Sequence, residues 1–174
     1  MKQILMVLAS KRFRDIEYLV PRAFFERAGF KVYTASSAKV STGRFGYEVT
    51  NDFLIEEIKP EDFNGLFLVG GAGAIEYLEN IHLKNIFVKT HLKGKPVAAI
   101  CAAPRNFLNW DMLRGQDVTG HNGDGTFVEF AKAKGAIPHP EKTVIVHNGI
   151  LTANGPEAAE ESALRFMEMI NEIN

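Results

Sequence analysis

The sequence predicts an α/β fold layered on a mainly parallel sheet. Apolar runs of strand length alternate with helical patterns along the chain, the pattern that strand–crossover–strand units leave in a sequence. The 174 residues are enough for one substantial core. No internal repeat, low-complexity segment or linker divides them, so a single domain over 1–174 is expected.

The first strand is "QILMVLA" (3–9). Lys2 ahead of it gives a passing likeness to a secretory leader, but the run is short, and Lys11, Arg12 and Arg14 follow at once. A buried strand is the expectation. Residues 14–28 form the first helix, stopped by Gly29. "KVYTAS" (31–36) is the next strand, and "STGRFGYEV" marks a hairpin within 38–53. Further strands are "GLFLVGG" (65–71), "PVAAI" (96–100) and "TVIVHNGILTA" (143–153), the last folded back at "HNG" as a hairpin. The final helix covers 156–173, with Ala159, Ala163, Phe166, Met167 and Ile170 on one apolar face. Pro156 falls in its first turn, where a missing N–H costs nothing.

Composition excludes several classes of function. A net charge of −1 with no long basic run gives no electrostatic footprint for nucleic acid. No stretch reaches the ~20 apolar residues of a membrane helix. One cysteine cannot make an intrachain disulfide, and it fits a reducing compartment. A soluble cytoplasmic protein is expected, without nucleic-acid or membrane partners.

That cysteine, Cys101, lies in "KPVAAICAAPRNF" (95–107), directly after a strand and before residues that can open a helix at Pro104. Such a corner stands at the carboxyl edge of the sheet, where α/β folds bind ligands. Helix-start amides favour the thiolate and can depress a thiol pKa. Ala99, Ala102 and Ala103 leave room for the sharp turn of a nucleophile elbow. A small buried core residue is the competing reading of a lone cysteine.

Glu17 is the second candidate. Phe13, Val20, Pro21 and Phe24 share its helix face, so its carboxylate falls on an apolar stripe. A buried carboxyl keeps its proton and can donate a hydrogen bond to a thiolate. Alternatively, Pro21 kinks the helix and leaves Glu17 at the surface. "LVGGAG" (68–73) ends a strand on Gly70 and Gly71 and starts a helix-like turn, whose amides could line an oxyanion or phosphate site or simply make a tight turn. It lacks both the dinucleotide fingerprint and the P-loop lysine. The five histidines show no metal-ligand spacing. His121, in "VTGHNGDG", belongs to a glycine-rich loop suited to a site edge or to structure alone; His147 is placed in a hairpin turn, and His82, His91 and His139 at the surface. No metal and no cofactor are expected.

In order and spacing, these pieces together resemble the ThiJ/PfpI superfamily over essentially the full length. The stretches that carry the likeness are "MVLA", "DIEYLVPRAFFERAGFKVYTAS", "GRFGYEV", "EDFNGLFLVGGAG", "GKPVAAICAAP", "VTGH" and "GILTANGP". The resemblance implies a flavodoxin-like three-layer sandwich, with helices on both faces of the sheet, related to class I glutamine amidotransferases. Cys101 then matches the nucleophile, Glu17 the carboxyl that contacts its sulfur, and Gly70, Gly71 and the Ala102 amide the oxyanion-binding groups. His121 matches a histidine beside the cysteine in the DJ-1 branch, and Glu76 lies near a carboxylate supplied by a neighbouring subunit. A homo-oligomer, dimer or hexamer, is implied.

The departures bear on substrate. PfpI-type peptidases carry histidine where this chain has Ala102, which removes the obvious general base. Val69 replaces a proline before the glycine pair, Ala103 a glycine, and Asn154 an arginine or glutamine. The expected function is a cysteine-dependent enzyme acting on small reactive carbonyls in the manner of a cofactor-free glyoxalase or deglycase. The alternatives are an intracellular cysteine peptidase or amidase acting on peptides, and a non-enzymatic redox sensor or stress-protective protein that uses the same cysteine.

Overall fold

The computed structural model describes residues 1–173. Its strands are β1 (Gln3–Val7), β2 (Lys11–Phe13), β3 (Lys31–Ser36), β4 (Val40–Gly43), β5 (Glu48–Thr50), β6 (Phe53–Leu54), β7 (Gly65–Leu68), β8 (Val97–Ile100), β9 (Asp117–Val118), β10 (Ile137–Pro138), β11 (Val144–His147) and β12 (Ile150–Ala153). Its α-helices are α1 (Asp15–Arg27), α2 (Ile81–Leu92), α3 (Pro104–Asn109), α4 (Phe127–Ala133) and α5 (Ala159–Glu172).

Seven strands form the central sheet in the order β11-β12-β8-β7-β1-β3-β6. All its pairings are parallel except the β11–β12 hairpin. Alternation along β1 explains the layering. Ile4 and Met6 join the core beneath α1 and α5, whereas Leu5 and Val7 join the core beneath α2, α3 and α4. Both faces are covered, so the strands read as continuous apolar runs. On one face, Phe25 of α1 and Phe166 of α5 close over Phe67 of β7, with ring centroids 5.7 and 5.5 Å from it. On the other, Phe87, Phe107 and Trp110 cluster with centroids 5.3–5.9 Å apart. The three-layer sandwich and the five principal strands match the sequence reading.

The differences are local. Residues 11–13 pair with β4, so the 38–53 hairpin gains a third strand and becomes a small sheet, β2-β4-β5. The last helix begins with a 3-10 turn at Pro156–Ala158 before α5. His147 is not in the hairpin turn: it ends β11, and its Nδ1 accepts the Asp117 amide at 3.0 Å. His91 and His139 are half-buried rather than surface residues, and His139 Nε2 lies 2.7 Å from Asp117 Oδ1. Pro21 sits inside α1 without ending it, because flanking turns and packing hold the helix together.

Candidate active site

β8 delivers Cys101 to the carboxyl edge of the sheet. The backbone there turns to φ 64° at Cys101, a left-handed conformation that non-glycine residues seldom adopt. Two hydrogen bonds hold the turn. The Cys101 amide donates to the Ala153 carbonyl at 2.8 Å, and the Cys101 carbonyl accepts the His121 amide at 2.8 Å. Strain of this kind persists only where surrounding structure fixes it, and it concentrates at functional sites. The strand-to-helix corner read from the sequence is therefore a nucleophile-elbow geometry, with α3 starting at Pro104.

Gly70 and Gly71 end up beside this turn for steric reasons. A Cβ at Gly70 would lie 2.2 Å from the Ile100 carbonyl oxygen, 2.4 Å from Glu17 Oε2 and 2.7 Å from Cys101 Cβ. At Gly71, φ is 103° and a Cβ would strike the Arg14 amide nitrogen at 2.4 Å. Only glycines let β7 approach both the elbow and the start of α1. Their amides divide the work. Those of Gly71 and Ala102 favour the Cys101 thiolate, whereas that of Gly70 acts on the Glu17 carboxyl. The glycine pair thus contributes one amide to the sulfur, not two.

Glu17 is fully buried, as its apolar helix stripe predicts, and the exposed alternative does not hold. Neither carboxyl oxygen reaches a partner at full hydrogen-bond geometry, although the Cys101 thiol and the Gly70 amide are close enough to act on it. Burial pushes its pKa up to about 8, against the pull of Cys101 and of the Arg14 guanidinium. Glu17 is consequently a protonated acid at neutral pH.

The thiol departs from the sequence reading. Burial, reinforced by Glu17 when that group is charged, pushes Cys101 up, and the two amides offset this only in part. The Ala102 amide at the helix start favours the thiolate as expected, but burial opposes and outweighs it. Cys101 is 8% exposed. Thiol and acid form a coupled pair whose first proton is held mainly by the carboxyl and whose second is held mainly by sulfur.

Cys101 opens into a cavity of about 700 Å³. Ile75 and Leu78 give it an apolar wall; Arg14, Arg44 and Arg105 bring cations, and Asp124 and Glu157 bring carboxylates. His121 lines it as expected, with its ring folded toward Gly123, where a Cβ would lie 2.7 Å from the ring. Arg105 is engaged locally: it donates to the His121 carbonyl at 3.0 Å and to Thr126 Oγ1 at 3.1 Å, and approaches Asp124 Oδ1 at 3.3 Å. Glu76 is apart from the cavity. Within its own chain it accepts from the Ser10 amide and hydroxyl, both at 2.8 Å, and from the Ser37 hydroxyl at 3.0 Å.

The arginines were not singled out in the sequence. One signal was available for Arg14: it lies three residues before Glu17, one turn away along the same side of the chain. Arg44 carried none, because its position depends on a loop docking. Asp15 accepts the Phe45 and Tyr47 amides at 3.0 and 3.2 Å and so pins the β4–β5 turn to the start of α1.

Residues 2–169 match the DJ-1/PfpI family. The chain belongs to that family. Among its relatives is the protein named Deglycase PfpI of Pyrococcus furiosus, 33% identical over 68% of this chain and 72% of that one. Another is the protein named Protein/nucleic acid deglycase 2 of Escherichia coli, 29% identical over 96% of this chain and 99% of that one. A ThiJ/PfpI domain protein from Brachyspira murdochii has the same fold, with a TM-score of 0.91 and 25% identity over 99% of this chain and 98% of that one. Among the described residues, no helix is long and apolar enough to cross a membrane.

Proposed function

We propose that this DJ-1/PfpI family protein is a cysteine-dependent enzyme that converts small 2-oxoaldehydes to 2-hydroxy acids. The observation that carries the reading is the pairing of a strained, amide-flanked Cys101, which opens into a cavity of about 700 Å³, with a buried Glu17 whose pKa is pushed up to about 8. The relatives named as deglycases support carbonyl chemistry at such a site.

The reaction starts from the pair carrying a single proton. Glu17 takes the thiol proton while sulfur forms a bond to the aldehyde carbon, and the carbonyl electron pair moves onto oxygen. The amides of Gly71 and Ala102 are placed to stabilise that oxygen. Glu17 then gives it the proton, leaving a hemithioacetal and a carboxylate. The carboxylate removes the hydrogen from the former aldehyde carbon and returns it to the neighbouring ketone carbon. The hydroxyl proton passes to the second oxygen. The first carbon is oxidised to a thioester and the second is reduced to an alcohol, so no external oxidant is required. Water cleaves the thioester, releasing the 2-hydroxy acid and the thiol. Glu17 carries the proton between the carbons in this scheme, and His121 shapes the cavity edge.

Conversion of methylglyoxal to lactate by the purified protein, abolished in Cys101→Ser, is the expected result. Equal rates for the two proteins would overturn the reading. The donor set around Cys101, two amides and one protonated carboxyl, favours a second use of the same atom: oxidation to a sulfinate in a redox-sensing role. A peroxide-induced gain of two oxygens on Cys101, with no turnover of any carbonyl, would decide for that role. A peptidase has less support, since Ala102 supplies no base beside the nucleophile. The reading also takes the protein to be a cytoplasmic homo-oligomer without nucleic-acid or membrane partners.

A further inference from the structure

We infer that the cavity selects carbonyl compounds bearing an anionic group, and that Arg14, seconded by Arg44, is the residue that binds it. This deepens the Cys101-centred reading and rests on it for the identity of the site.

Three observations converge on Arg14. It lines the same cavity as Cys101, and its charge acts on Glu17. Its Nε is buried without a hydrogen-bond acceptor. Buried donors are nearly always satisfied, so one left open beside a reactive centre is a place for a ligand oxygen. Finally, among the described residues neither Arg14 nor Arg44 has an ion-pair partner, yet both guanidiniums lie over the single ring of Phe45, 5.1 and 5.6 Å from its centroid. Two uncompensated cations on one ring repel each other, and an anion between them relieves that repulsion.

Their positions are built in rather than free. The Arg14 amide donates to the Gly70 carbonyl at 2.9 Å, and the Arg44 amide to the Phe13 carbonyl at 2.8 Å. Both backbones are therefore anchored to the strand end that carries the glycine pair and to the residue before Arg14. A planar guanidinium matches a carboxylate or a phosphate in two-point contact. Among the described residues neither cavity carboxylate pairs with Arg14 or Arg44: Asp124 is engaged with Arg105, and Glu157, beside Gly155, is the one carboxylate left to offset two arginines. The anionic group would bind at Arg14 while the carbonyl carbon faces the sulfur, which fixes one orientation of a small substrate.

The test uses Cys101 as its own reporter and needs no turnover. Alkylation is followed with iodoacetate and with neutral iodoacetamide, in folded and in denatured protein. The ratio of the two rates should be higher in the folded protein, should fall with added salt, and should drop roughly tenfold in Arg14→Gln, about what one lost charge-assisted contact gives. Arg14→Lys should restore part of it. Because Arg14 also acts on Glu17, the ratio is the readout, and an iodoacetamide rate that stays far from the denatured value shows that the variant is folded. Protection of Cys101 by acetate or by inorganic phosphate, lost in Arg14→Gln, supports the assignment, and the stronger protector identifies the anion. A folded-state ratio equal to the denatured one, or unchanged by Arg14→Gln, overturns it. Absence of methylglyoxal turnover in the native protein, with the ratio effect present, would instead count against the reaction proposed above.

Discussion

Glu17 and Gly70 are packed so closely that a methyl group on Gly70 would stand 2.4 Å from Glu17 Oε2. The same methyl would meet the Ile100 carbonyl oxygen at 2.2 Å and Cys101 Cβ at 2.7 Å. The absence of a side chain at Gly70 is what allows acid, sulfur and strand end to share one corner.

Gly70→Ala should therefore separate Glu17 from Cys101. Because one of the clashing atoms is backbone, the substitution should destabilise the protein by roughly 1–3 kcal/mol, as overpacking does. Denaturant unfolding measures that loss, and alkylation of Cys101 should lose its dependence on Glu17. Unchanged stability together with an unchanged alkylation profile would contradict the packing described here.

Glu17 makes stability fall as pH rises. Below pH about 4.5 the carboxyl is protonated in both folded and unfolded chains, so it contributes no pH dependence. Between about 4.5 and about 8 the unfolded chain gives up the proton while the folded chain keeps it. The unfolded state then binds fewer protons, and stability drops by up to roughly 1.4 kcal/mol for each pH unit, levelling off above about 8. Glu17→Gln should remove this slope and be the more stable protein at pH 8, by several kcal/mol. Chemical denaturation of both proteins across this range checks the sign.

Phe166 tests the layer beneath the site. It is fully buried, touches Phe25 and Phe67, and fills the space over Gly65, where a Cβ would lie 2.8 Å from its ring. Phe166→Ala should cost about 3–5 kcal/mol through the cavity it leaves. Thermal unfolding should register the loss, with the pH dependence of Cys101 alkylation retained in the folded fraction.

His121→Ala should separate ring from backbone. The His121 amide, not its ring, bonds the Cys101 carbonyl, so the elbow should survive. If Glu17 carries the proton, turnover of methylglyoxal should fall less than about tenfold, well short of what loss of a proton carrier costs. A fall comparable to that of Glu17→Gln would move the role to His121.

Much of this architecture was legible in the sequence, for identifiable reasons. β1, β7 and β8 are buried on both faces, and such strands announce themselves as unbroken apolar runs. Glu17 could be placed because burial leaves a periodic trace on a helix: Phe13, Val20, Pro21 and Phe24 share its face and are apolar. Cys101 and the glycine pair were placed because strand-to-helix corners have few sequence solutions. By contrast, β2 is three residues long and its partner is remote in the chain, so no local pattern marks it. Arg14 and Arg44 look like solvated charges, since an arginine turned toward a cavity and one turned toward water have the same local sequence. The direction of the Cys101 pKa was misread because the favourable amides are local, whereas the burial that outweighs them comes from the whole fold.

The most direct test of the central claim, that Cys101 and Glu17 act as one chemical unit, is the pH dependence of Cys101 alkylation by iodoacetamide in the native protein and in Glu17→Gln, each against its own denatured form. The native rate should rise through the titration of Glu17 at about 8. In Glu17→Gln the inflection at about 8 should vanish, and the thiol, freed of the carboxylate charge that pushes it up, should ionise in a single step at lower pH than the native thiol, while the two denatured profiles coincide. Superimposable native and Glu17→Gln profiles would mean that the acid and the thiol are neighbours without being partners.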